Sequence, residues 1–141
     1  MRKFLYAWLI SFLLVIVIDL VWLIIMVPNF YQSYIGHLLK DELDYKVPLL
    51  FYTIYSFGIC YLIVFPSLQA STITMRQVSL YGFVLGLVAY GTYDLTNQAT
   101  LKDWPIIVTI VDMLWGGVLT MIVSTYAYKI LNKKGLVAQR P

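Results

Sequence analysis

The chain has 141 residues, 61% of them hydrophobic and 12% charged. A soluble domain of this length has too little interior to hide so much apolar side chain, so the expected solvent is lipid and the expected organisation a single membrane-embedded domain over 1–141. The net charge of +3 comes without a basic cluster of the kind a nucleic-acid surface needs, and one cysteine, Cys60, excludes an internal disulfide and any multi-cysteine metal site.

Four apolar runs reach the roughly 20 residues that cross a bilayer, at about 4–27, 47–67, 78–97 and 105–128. The expected fold is all-α, a polytopic bundle of four transmembrane helices. The first run follows Arg2 and Lys3, as in a signal peptide. It is longer than the ~7–15 residues of a secretory apolar core and no small-residue cleavage pattern follows it, so it is expected to stay as the first helix. In the stretch 28–46, Tyr31, Tyr34, Ile35, Leu38 and Leu39 fall near helical spacing with polar residues between them, which predicts a short amphipathic helix at the membrane interface. His37 in this stretch reads as an ordinary loop residue.

The second run brings Tyr52, Tyr55 and Ser56 to one face by three- and four-residue spacing. The third carries Gly82 and Gly86 as a GxxxG pair, and Gly116-Gly117 lie on the fourth; small residues of this kind let membrane helices approach closely. A short connection over 98–104 leads to Pro105. Trp8 and Trp104 read as interfacial anchors. The tail after Tyr128 is polar and expected to fray.

Lysine and arginine favour cytoplasmic flanks. With both termini in the cytoplasm, seven basic residues lie inside (Arg2, Lys3, Arg76, Lys129, Lys133, Lys134 and Arg140) and three outside (Lys40, Lys46 and Lys102). That orientation puts three intramembrane acids in the outer half. Asp19 lies ~12 Å, Asp112 ~10 Å and Asp94 ~5 Å from the outer ends of their helices, at ~1.5 Å per residue. A carboxylate near a helix centre costs ~2.5–3.5 kcal/mol on insertion scales, so the acids are expected to face one another or a wet cavity rather than lipid.

Spacing supports a shared face. Tyr90, Tyr93, Asp94 and Asn97 follow an i, i+3, i+4, i+7 pattern. Asp19 and Asp112 each have a tryptophan three residues on, Trp22 and Trp115. This Asp-x-x-Trp echo is too short to indicate duplication. With Tyr52 and Tyr55, these ten side chains predict an outward-facing pocket with an acidic floor and aromatic walls, and they are the candidate ligand-binding residues.

At these positions the chain resembles domain-of-unknown-function family 2177, small predicted bacterial membrane proteins. The residues that carry the resemblance are Asp19-x-x-Trp22-Leu23, Gly36-His37, Pro48 with Phe51-Tyr52, Tyr90-x-Thr92-Tyr93-Asp94-Leu95-Thr96-Asn97, Thr100-Leu101 with Trp104-Pro105, and Asp112-x-x-Trp115-Gly116. The resemblance spans nearly the whole chain and implies four spans in a bacterial inner membrane. It implies no substrate.

Three function classes fit. In the first, the pocket binds or transports a small molecule or cation. Acids supply charge, and aromatic faces hold an organic cation at ~0.5–2 kcal/mol per contact. Four helices make a thin wall around any path, so a transporter of this size is expected to work as a homodimer. In the alternative, a structural or accessory protein, the acids hold the bundle together through hydrogen bonds worth ~0.6 kcal/mol on average in membranes. In the third, a membrane enzyme, the acids divide general acid and base roles, with Tyr93 as a proton donor, or hold a hard cation together with Asn97. No nucleophile elbow, HExxH pair or phosphate loop is present, and neither a cofactor nor a metal site is predicted.

Overall fold

The computed structural model describes residues 1–42 and 44–133, and among these it is entirely helical. Helix α1 (Arg2–Met26) does not end at the membrane surface. It runs through a π-helical turn (Val27–Tyr31) into α2 (Gln32–Ile35) and a 3₁₀ turn (Gly36–Leu38). The second span comprises α3 (Lys46–Ile59), a second π-helical turn (Cys60–Val64) and α4 (Phe65–Gln69). Helices α5 (Met75–Thr100) and α6 (Ile106–Lys133) complete the set. Four helical segments are thus long and apolar enough to cross a membrane: Arg2–Leu38, Lys46–Gln69, Met75–Thr100 and Ile106–Lys133.

The helices outrun the apolar runs at most ends, because polar residues continue the hydrogen-bond ladder past the lipid-soluble stretch. Helix α6 passes Tyr128 and reaches Lys133, so the expected fraying does not begin there; the rest of that tail, 134–141, lies outside the described residues. The predicted helical turns within 28–46 are present, but they prolong α1 instead of forming a separate interfacial helix. Pro28 has no N–H to give to the preceding turn, and the Asn29 side chain donates to the Ile25 carbonyl at 2.6 Å. The chain widens by one turn and continues. The second π-helical turn, unlike the first, does not contain its proline; Pro66 follows it in α4.

Only narrow stripes face inward. On α1 the buried residues are Ala7, Ser11, Val15 and Asp19, each four after the last. Leu5, Leu9, Leu13, Val17 and Ile24 point outward, as a lipid-facing surface requires. On α5 the stripe is Val78, Gly82, Gly86 and Asp94. Helix α6 is buried on more than one side, at Thr109, Gly116, Gly117, Leu119, Thr120, Val123 and Ser124 among others, because α5, α1 and the second span all pack on it.

The α5–α6 contact is backbone on backbone. A Cβ at Gly86 would lie 1.9 Å from the Gly116 carbonyl oxygen, and one at Gly82 would lie 2.7 Å from that of Thr120. Any side chain at these positions would force the helices apart. The reading of these glycines as packing residues holds.

The 101–105 connection lies at one end of the bundle. There Tyr31, Ile35, Trp104 and Val108 form a small cluster of their own, so the prolonged α1 lies across the turn between α5 and α6. Asp103 in that turn takes a positive φ of 60°, which aspartate tolerates better than most residues. At the other end Thr74 and Gln77 form a capping box that starts α5.

Candidate functional site

Asp19 ends the inward stripe of α1 and is 6% exposed. Both of its carboxylate oxygens are occupied. The Tyr52 hydroxyl donates to Oδ2 at 2.7 Å and the Trp115 indole N–H donates to Oδ1 at 2.8 Å. One carboxylate therefore ties α1 to α3 and to α6.

Asp112, half-buried on α6, is held differently. The Tyr31 hydroxyl donates to its Oδ1, and that hydroxyl in turn accepts the Trp22 indole N–H at 3.1 Å. The Trp22 and Trp115 rings stack between the two acids, with centroids 4.1 Å apart and planes at 6°. The two Asp-x-x-Trp segments thus face each other in a reciprocal arrangement. Trp115, three residues after Asp112, serves Asp19 directly. Trp22, three residues after Asp19, serves Asp112 through Tyr31. Antiparallel helices bring such a pair into register because each tryptophan projects one turn along its own helix toward the other's acid.

Asp94 on α5 is fully buried, and neither of its oxygens has a hydrogen-bond partner among the described residues. It lies near enough to Asp112 for their charges to act on one another. Asp112 is coupled to Asp19 in the same way. Charge interaction thus links the three acids pairwise, but their hydrogen-bond surroundings differ.

The other predicted residues divide. Tyr90 packs edge-on to Tyr55 with centroids 6.2 Å apart, and the Tyr55 hydroxyl meets the Thr120 hydroxyl at 2.5 Å. A Cβ on Gly116 would meet the Tyr90 ring at 2.2 Å, so this glycine makes room for the tyrosine. Tyr93 is 59% exposed and its ring sits edge-on to Trp104, while Asn97 is half-buried. The single stripe expected on α5 therefore splits. Tyr90 and Asp94 turn inward, and Tyr93, about 100° around the helix from Asp94 at 3.6 residues per turn, does not.

The predicted open pocket is also not how these acids are housed. Two surface grooves, one along Leu87, Gly91, Leu95 and Met113 and one along Phe4, Tyr61 and Phe65, are apolar and hold none of the three carboxylates. Asp19 and Asp94 are enclosed by packed side chains. His37 is exposed, in keeping with an ordinary loop position.

Neither tryptophan read as an interfacial anchor has its N–H free for headgroups. Trp104 is 8% exposed and donates to Thr109 at 3.0 Å, while Trp8 is half-buried and donates to Ser56 at 3.1 Å. Each finds a hydroxyl inside the bundle, a better partner than mobile water at the rim.

Tyr31 is the main residue that sequence reasoning missed, because it was read as part of a surface helix. Its four-residue spacing to Ile35, the other buried side chain of that stretch, was the available signal. Gln98 is another. It follows Asp94 by four, donates to the Trp104 carbonyl at 3.1 Å and accepts from Thr109 at 3.1 Å.

Four apolar spans with acids turned inward from lipid define an integral, multi-pass membrane protein. The chain belongs to the family described as Predicted membrane protein (DUF2177), whose model matches residues 4–129. No curated protein and no solved structure matches it.

Proposed function

We propose that this protein binds a small cation, the proton included, inside the membrane at Asp94 with Asp112 beside it. The observation that carries this reading is Asp94 itself: fully buried, next to a second acid, with neither oxygen hydrogen-bonded among the described residues. A buried carboxylate without donors is unfavourable unless something positive meets it. Intramembrane acids in this situation mark ion or substrate sites more often than structural ones. The basic residues at the termini and around Arg76 favour an orientation with both termini cytoplasmic in a bacterial inner membrane, with the acids nearer the outer side. Any route across the membrane would be walled by a second copy of the chain.

Asp19 favours a second, structural role within the same protein. Each of its oxygens accepts a hydrogen bond, one from Tyr52 and one from Trp115, so it holds three helices in place and its charge is already met by donors.

Thermal unfolding of the purified protein in a mild detergent tests the reading. Melting is recorded as pH is varied and as sodium, magnesium or tetraphenylphosphonium is added. A bound cation stabilises the folded state by about 2.7 kcal/mol at a hundredfold excess over Kd. The wild type should show a cation-dependent shift that Asp94→Asn removes; identical responses in the two proteins would sink the reading. For orientation, Glu42→Cys and Thr72→Cys are both exposed positions, and the native Cys60 is buried. An impermeant thiol reagent applied to intact cells should reach position 42 and not 72.

A further inference from the structure

Resting on the cation reading above, we propose that the occupant of this site is a proton, held on the Asp94 carboxyl with Asp112 as its acidic neighbour, and not a metal ion or an organic cation. Space decides first. Both Asp94 oxygens are closed off from a water-sized sphere and touch no donor among the described residues. A magnesium ion requires near-octahedral oxygen ligation and keeps several waters, and calcium takes six to eight oxygens. An organic cation requires a cavity walled by rings. A proton needs only the oxygen itself.

The surrounding groups point the same way. Asp94 and Asp112 have Tyr90 from α5, Asp19 from α1 and Tyr31 from its continuation around them, with Tyr93 turned outward on the rim; Tyr52 and Tyr55 of α3 border the same group. None of these is a cation. Among the described residues no three of His, Cys, Asp or Glu converge as a metal ligand set. Like charges without a counter-charge relieve their repulsion most simply when one of them takes up a proton, as in paired-carboxylate sites.

Asp112 supplies the way in. It is half-buried where Asp94 is fully buried, and it lies toward the end of the bundle where the prolonged α1 crosses the 101–105 turn. The step is a simple protonation. An O–H bond of a hydronium ion arriving from that end breaks, an O–H bond forms on the Asp94 carboxylate, water is left behind and the negative charge on Asp94 is neutralised. Tyr31, which donates to Asp112, holds that neighbouring carboxyl in place.

Infrared difference spectroscopy of the full-length protein in liposomes tests this. Acid-minus-alkaline spectra should contain a protonated-carboxyl band that is lost in Asp94→Asn and displaced in Asp112→Asn, with circular dichroism confirming that both variants are folded. At fixed pH, sodium, magnesium and tetraphenylphosphonium should leave that band unchanged. If the Asp94 band responds to one of those ions at constant pH and not to pH, the occupant is that ion: the proton assignment falls and the cation reading stands. A band that responds to neither pH nor any ion overturns both.

Discussion

Asp19 and Asp94 are the same residue type, on the first and third spans of one bundle, both nearly or fully buried. Their surroundings are opposite. Asp19 accepts from a tyrosine and a tryptophan on two other helices, and Asp94 accepts from nothing among the described residues. The contrast separates two uses of a membrane carboxylate. A saturated acid is a joint: its desolvation is offset by the donors it gathers, and removing it strands them. An unsaturated acid gathers no donors and contributes little to holding helices together.

The sharpest way to break the comparison is to move one acid and leave the other. Gly86→Ala puts a Cβ 1.9 Å from the Gly116 carbonyl oxygen. It should displace α5 from α6 and cost about 3 kcal/mol, at the upper end of overpacking effects. Asp94 would be carried away from Asp112, while the Asp19–Tyr52 bond between α1 and α3 should persist. Unfolding in graded SDS would report the loss of stability, and the Asp94 infrared band would report the lost coupling.

Asp19→Ala should cost about 1–3 kcal/mol, because it leaves the Tyr52 hydroxyl and the Trp115 N–H buried without an acceptor. The same SDS titration checks it. Asp19→Asn should cost less, since an amide oxygen still accepts from one of the two donors. If Asp19→Ala proves neutral, the saturated acid is not a joint and the comparison fails.

Tyr31→Phe removes the donor to Asp112 and the acceptor for Trp22. In membranes single hydrogen bonds average about 0.6 kcal/mol and reach about 1.7, and the loss should fall in that range. Loosening the Trp22–Trp115 stack should also change tryptophan emission.

The smallest stability effect belongs to Asp94→Asn. With no hydrogen bond to break, its melting temperature in the absence of any stabilising cation should match wild type within about 0.5 kcal/mol. A loss as large as that of Asp19→Ala would mean that Asp94 is also a joint.

Much of this was legible beforehand, and for local reasons. Four apolar runs report four spans because a lipid-facing helix needs apolar residues all around, whatever its neighbours. The inward placement of the acids followed from the cost of charge in hydrocarbon. The GxxxG pair on α5 followed from the room that backbone contact requires. Less legible was the length of α1. Pro28 reads as a terminator, and nothing local says that Asn29 would satisfy the Ile25 carbonyl and let the helix continue through Tyr31.

Sequence alone therefore settled which residues are membrane-embedded and that Asp19, Asp94 and Asp112 require company, since both depend on transfer energies of single residues. Only the tertiary structure decided which company each acid keeps. The Asp-x-x-Trp segments of α1 and α6 look alike as strings; their reciprocity, with Trp115 serving Asp19 and Trp22 serving Asp112 through Tyr31, exists because two antiparallel helices cross at one particular register. The crossing of the prolonged α1 over Trp104 helps set that register, and Gly86 on Gly116 sets the one between α5 and α6, both contacts between residues far apart in the chain. The α5–α6 register leaves Asp94 near Asp112 with no donor in reach among the described residues.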